Sequence, residues 1–156
     1  MAKIRGGIGQ IEISNNATFD STEPNWVVTI PGSALPDDGQ AYPEPQAQTV
    51  ALADGRNTNV GYTVEFSIRV KEIAAADLQL LKDAEDQDTE VWVRYSSADL
   101  ASDGTTPKLV KTIKRAILTR VTDINLVGRP GLCAAIIEGN AAGAKEEDVI
   151  DTVITS

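Results

Sequence analysis

The sequence predicts a mainly β domain with a single helix set among its strands, and three observations carry that prediction. Aromatic residues make up only 4% of a chain that is 42% hydrophobic, so its apolar surface comes from Val, Ile, Leu and Ala, a mix suited to sheets and sheet contacts. Residues 63 to 71, TVEFSIRVK, alternate: Val64, Phe66, Ile68 and Val70 face one way and Glu65, Ser67, Arg69 and Lys71 the other, as in a half-buried strand. Directly after it, EIAAADLQLLKDA places Ala74, Leu78 and Leu81 at i, i+4 and i+7 on one helical face, with Leu80 and Ala84 beside them.

A length of 156 residues suits one ordinary domain with its own core, so residues 1–156 are read as a single domain. Its first elements are QIEIS at 10–14, stopped by Asn15 and Asn16, and WVVTI at 26–30, stopped by Pro31-Gly32. Both read as strands of a short hairpin. From Pro31 to Gly61 the composition shifts to four prolines and four glycines around a short VALA patch, which predicts a long loop over 32–61. The alternating strand and the helix follow, and Val91, Val93 and Tyr95 then resume a strand. SSADLASDGTTPK at 96–108 has the small, turn-forming residues of a hairpin tip. In LVKTIKRAILTRVT at 109–122, Ile113, Ile117 and Val121 fit a helix face, but the Thr and Val content favours a long strand. Asp123 to Pro130 reads as a turn, LCAAIIEG at 132–139 as the strand that closes the sheet, and residues 141–156 as a flexible tail.

Composition excludes several chemistries. The chain has no histidine, which removes the commonest general base and metal ligand together with every Ser-His or Cys-His nucleophile. Cys133 is alone in the apolar context LCAAII, so no internal disulfide or thiolate cage forms, and nothing near it in sequence lowers its pKa. The acids Asp83, Glu85, Asp86, Asp88 and Glu90 suggest a calcium loop, but the sixth position counted from Asp86 holds Val91 where an EF-hand needs glycine. They read as a solvated helix end. GGIGQIE at 6–12 has Glu12 where a dinucleotide fingerprint needs its third glycine. No catalytic residue, cofactor site or metal site is therefore predicted, and the protein is read as not an enzyme.

The net charge is −9, and only residues 101–140 are basic on balance, with six cations against three acids. An acidic chain is poorly suited to gripping nucleic acid, because grip depends on cations that neutralise phosphates. Lys111, Lys114, Arg115 and Arg120 are instead read as partners for acids on neighbouring strands or subunits, with Glu65, Asp86, Asp88 and Glu90 as candidates. No stretch approaches the roughly 20 apolar residues of a membrane span or the run of a signal peptide, so a cytoplasmic site of synthesis is expected.

The order of elements, sharpest over residues 60–139 from VEFSIRVKEIAAADLQLLKDAEDQDTEVWVRYSS to AILTRVTDINLVGRPGLCAAIIEG, resembles phage tail tube proteins. That resemblance implies a β-sandwich or partial barrel flanked by one α-helix, with sheets joining between subunits into stacked hexameric rings. The hollow lumen would conduct DNA without specific binding, the tube would be part of the virion tail assembled in the host cytoplasm, and its partners would be itself together with sheath, baseplate or tail-terminator proteins. On this reading Glu65, Ser67, Arg69 and Lys71 form a polar face of the tube wall. Ala74, Leu78 and Leu81 are the helix cover, and Lys111, Lys114, Arg115, Arg120, Asp86, Asp88 and Glu90 are inter-subunit charge contacts. The same architecture occurs in the hexameric tube protein of type VI secretion, so a secretion-system tube is the alternative of the same shape. A virion decoration or ligand-binding β-module is the alternative of another class, for which Trp26, Tyr42, Tyr62 and Trp92 would be stacking platforms.

Overall fold

A computed structural model describes residues 7–15, 25–35, 42–123 and 135–155. Among them eight strands form one antiparallel sheet: β1 (Ile8–Ser14), β2 (Val28–Pro31), β3 (Pro45–Ala51), β4 (Asn57–Val70), β5 (Glu90–Ser97), β6 (Leu109–Asp123), β7 (Ala135–Gly143) and β8 (Ile150–Ile154). The main helix, α1 (Ala75–Asp86), joins β4 to β5, and a single turn, α2 (Glu146–Val149), leads from β7 into β8. Strand order is β2-β1-β5-β6-β7-β4-β3, with β8 added to β6 off that path, so the sheet does not close into a barrel. The fold is mainly β, an open, sandwich-like sheet with one main flanking helix, as expected.

One side of every strand from β2 to β4 feeds a single core. Register places Ile11 and Ile13 opposite Ile30 and Val28 on one flank and Tyr95 and Val93 on the other. At the far side Val64, Phe66, Ile68 and Val70 meet Ala141, Gly139, Ile137 and Ala135. All belong to one buried cluster except Gly139, the close-approach point. A Cβ there would lie 2.6 Å from the Ile117 carbonyl oxygen and 2.7 Å from the Phe66 ring, so only glycine lets the Phe66 ring approach the backbone here so closely.

β6 organises the curl. Its first half, Leu109–Ile113, pairs with β8, and from Ile117 it pairs with β7 instead, while β5 runs along its other margin. Between the two regimes Lys114 and Arg115 oppose the single residue Trp92, a bulge whose second residue, Arg115, has φ +55. The extra residue bends β6, and the sheet forks into a β8 branch and a β7-β4-β3 branch. Val149 of α2, fully buried, and Ile150, 5% exposed, fill the fork.

Two stretches depart from the sequence reading. The segment expected as a loop over 32–61 contains β3 and the start of β4, paired as a ribbon from Pro45↔Val64 to Ala51↔Asn57. The tail expected to be flexible over 141–156 contains the end of β7, α2 and β8. Neither shows strong alternation because neither has a buried face: residues 46–60 are exposed throughout, and of β8 only Ile150 is buried. Periodicity reports burial, so an unburied strand is silent. Of the turn read at 123–130, Asp123 is the last residue of β6, while residues 124–130 and the thiol of Cys133 lie outside the described residues.

The alternation of β4 holds over Val64 to Val70, with the even positions at most 6% exposed. Replacing Phe66 by Asp should cost roughly 3–5 kcal/mol or more, since it removes a core ring and buries a charge. The expected outcome is insoluble or unfolded protein by circular dichroism; a soluble variant with an unchanged urea midpoint would contradict the assignment of this face.

Candidate functional site

Three surfaces can be built from the residues upward. The first is the sheet margin that α1 occupies. β5 begins at Glu90, opposite Ile117, so beyond Ile117 that margin of β6 has no strand beside it among the described residues. α1 lies there instead. Leu81 is fully buried and Ala84 nearly so, with Leu78 and Leu80 packed against the same core. The Glu85 carboxylate reaches past them and accepts the Val121 backbone N–H at 2.7 Å. The helix therefore does the work of a strand, filling apolar space and satisfying an edge amide. Ala74, expected on the covering face, is the extended, exposed N-cap, because the helix starts one residue later and its buried face is carried by Leu78, Leu81 and Ala84. The helix ends by its own backbone: Thr89 N–H donates to Ala84 O and Asp88 N–H to Glu85 O, with Asp88 at φ +51 in the position where glycine is usual.

The second surface is the polar face of β4, β7 and β6. Glu65, Ser67 and Arg69 are exposed and Lys71 half-buried. Register sets Ser67 and Arg120 on either side of Glu138, with Ser67 Oγ 3.5 Å and Arg120 Nη1 3.6 Å from the same Glu138 oxygen. Two acids, Glu65 and Glu138, are interspersed here with three bases, Arg69, Lys71 and Arg120.

The basic segment is paired within the chain. Lys111 Nζ lies 2.7 Å from Glu44, Arg115 makes a two-nitrogen contact to Glu90 at 3.1 Å each, and Lys108 reaches Asp99 at 3.4 Å. Lys114 Nζ donates to the Glu147 carbonyl at 3.4 Å. Of the acids expected as partners, Glu90 is one; Glu44, Asp99 and Glu138 were not anticipated, because their proximity depends on strands distant in sequence. Asp86 and Asp88 are exposed at the end of α1.

The third surface is a shallow groove between β1, β5 and the 98–108 loop, lined by Gln10, Glu12, Arg94, Ser96, Leu100 and Thr105. Glu12 accepts from Arg94 at 2.6 Å and from Gln10 at 2.8 Å on one oxygen, and Arg94 stacks over Trp26 at 4.4 Å. Trp26 is thus engaged by its own chain, and Trp92 is 7% exposed. Tyr42 packs 6.1 Å from buried Tyr95, and burial raises the pKa of both phenols. Tyr62 packs partly against the core. None of the four aromatics stands as an open stacking platform. Among the described residues, no group of three His, Cys, Asp or Glu could hold a metal ion.

No protein-family model matches the chain, and neither does any curated protein. Solved structures do. A chain of the anti-feeding prophage baseplate, determined by cryo-EM with six-fold symmetrisation, superposes with a TM-score of 0.50 at 12% identity, covering 100% of this chain and 98% of that one. A chain of the tube-terminating cap of the same prophage gives 0.46 at 12% identity, covering 99% and 93%, and the Hcp1 protein of E. coli EAEC 042 gives 0.40 at 6%, covering 94% and 96%. The first of these superpositions establishes the fold. The chain shares the fold of that baseplate chain, in line with the mainly β architecture that the tail tube resemblance implied.

Two predictions follow from the site geometry. Glu85→Ala leaves the Val121 amide without its acceptor and should lower stability by about 1–3 kcal/mol in urea unfolding, whereas Glu85→Gln keeps an acceptor oxygen and should cost less; equal, negligible losses would show that the helix does not seal this edge. In the 98–108 loop, Asp103 accepts from the Thr106 hydroxyl and from the Thr106 and Thr105 amides, and these bonds hold its pKa down at about 2. A depressed carboxyl pKa stabilises above the unfolded value of about 3.9 and loses that contribution as pH falls through the folded value. The amide resonances of Thr105 and Thr106 should therefore titrate with a midpoint near the pKa of Asp103, about 2, and Asp103→Asn should abolish the transition. A midpoint near 4 would mean the turn is not formed in solution.

Proposed function

We propose that the protein is a structural subunit of a phage tail tube, forming hexameric rings that stack around a hollow lumen through which DNA passes during ejection. The observation that carries this reading is an open sheet in which, among the described residues, β3 and β8 are each paired on one side only. Such a sheet is a poor end state for a monomer and a good component of a larger closed barrel. The fold likeness to a chain of a six-fold symmetrised particle supports the same symmetry. The role is mechanical rather than catalytic, in keeping with a chain that has no histidine and a single cysteine.

DNA sliding through a pore must not stick, and a free cationic lining would bind phosphate by counterion release. The pairing of Lys111, Arg115 and Arg120 with Glu44, Glu90 and Glu138 leaves no concentrated positive stripe. On this reading the polar face of Glu65, Ser67, Arg69 and Lys71 belongs to the tube wall, and Lys114, Asp86 and Asp88 meet neighbouring subunits. Sheath, baseplate and tail-terminator proteins are its partners in the virion tail. No helix among the described residues is long and apolar enough to cross a membrane.

Negative-stain microscopy of the purified protein should show rings or hollow rods of six-fold symmetry. Assembly should weaken at high salt as subunit charge contacts are screened, and mobility-shift assays at physiological salt should show no appreciable DNA binding. Compact monomers at high concentration would overturn the tube. Tight DNA binding that is lost on neutralising Lys111, Lys114, Arg115 or Arg120 would overturn the passive conduit.

A further inference from the structure

The sheet has three margins, and they differ in how they are protected. β2 is four residues long, buries Val28 and Ile30, and ends in Pro31, so it offers little to a second chain. β3, PQAQTVA, is seven residues long with no charge, and its only proline is at its first position. β8, IDTVI, carries the single charge of Asp151 near its start. Among the described residues each of these two strands is paired on one side only, β3 with β4 and β8 with β6. Both also carry apolar side chains that water reaches: Val50 of β3 is 49% exposed, and Val153 and Ile154 of β8 are 50% and 66% exposed.

The β3–β4 ribbon makes the need for a partner acute. At its base Val60 is bulged out of register between Gln48↔Gly61 and Thr49↔Asn59 and is 60% exposed. Beyond that point the ribbon has neither face against the body. A two-stranded ribbon alone is marginal in water and gains stability from a third strand or an apolar partner.

We propose that β3 of one subunit adds to the free margin of β8 in the next copy of this chain, so that the two sheets run on as one. This rests on the tube reading above and deepens it by assigning the strands that join. The partner is β8 and not a second β3 because pairing β3 with itself is two-fold and stops at a dimer, whereas two different patches give a head-to-tail contact that can close a ring. The surfaces match in kind. Val50 on β3 and Val153 and Ile154 on β8 are all exposed and apolar, the shorter strand sets a ladder of up to about five residues, and Asp151 faces a strand with no like charge to repel it.

The test is disulfide mapping between two differently tagged forms of the full chain, each in a Cys133→Ala background. One carries Thr152→Cys and the other a single cysteine placed in turn at positions 46 to 50. In ring fractions isolated from the mixture, oxidation should give a mixed dimer for at least one of these positions, and neither form oxidised alone should give more than background. Rings that form normally but cross-link at no position would overturn the β3–β8 joint while leaving the tube reading intact. Strong homodimers from the 46–50 series alone would show two-fold β3 pairing and also overturn it. Absence of rings from the Cys133→Ala parent as well as the unmodified chain would remove the tube reading itself, and the joint with it.

Discussion

Every backbone amide and carbonyl at the rim of a β-sheet must be paired, covered or left in water, and most of this structure can be understood as a set of answers to that demand. Along β6 two of these answers alternate, pairing and covering. β5 pairs one margin until Ile117, and past that point α1 takes over, with Glu85 receiving the Val121 amide. On the opposite margin β8 pairs the first half and β7 the second. An amphipathic helix between two strands of an otherwise all-β chain is thus a strand substitute, placed where the sheet would otherwise end in an open, apolar step.

The handover along β6 depends on the bulge at Lys114 and Arg115. Arg115 holds a left-handed backbone that most residues avoid, at a cost on the order of 1 kcal/mol, and its guanidinium spans both oxygens of Glu90 at the start of β5. An exposed ion pair of this kind contributes little by itself. Its place matters more, because it joins the bend in β6 to the first residue of β5 and so fixes where the strand ends and the helix begins. Downstream, Gly139 lets β7 approach Phe66, and the fork behind it is filled by Val149 and Ile150. The branching of the sheet thus rests on the bulge at Lys114 and Arg115, the close approach at Gly139 and the helical turn of α2.

Much of this was legible in the sequence. The core face of β4, the helix, the strands on either side of the 98–108 loop and the first hairpin all bury one face, and burial writes itself into the sequence as period. β3 and β8 were hidden for the same reason turned around. QAQTVA and DTVI have no buried face to impose alternation, so they read as loop and tail. Ala74 lost its place on the covering face because the helix begins at Ala75, a boundary that no side-chain cap marks. The partners of the basic segment could not be read either, since Glu44, Asp99 and Glu138 reach it only through strand pairing.

The strands that the sequence concealed, β3 and β8, are those paired on one side only among the described residues. Amide hydrogen exchange, followed residue by residue on the isolated subunit and on the assembled protein, bears on this most directly. Edge pairing between subunits requires that amides of β3 and β8 exchange quickly in the monomer and become protected on assembly, on alternate residues as a new ladder dictates, while β4, β6 and β7 are already protected in both states. Equal exchange at β3 and β8 in the two states would contradict the account, since the rims of the sheet would then remain open in the assembly.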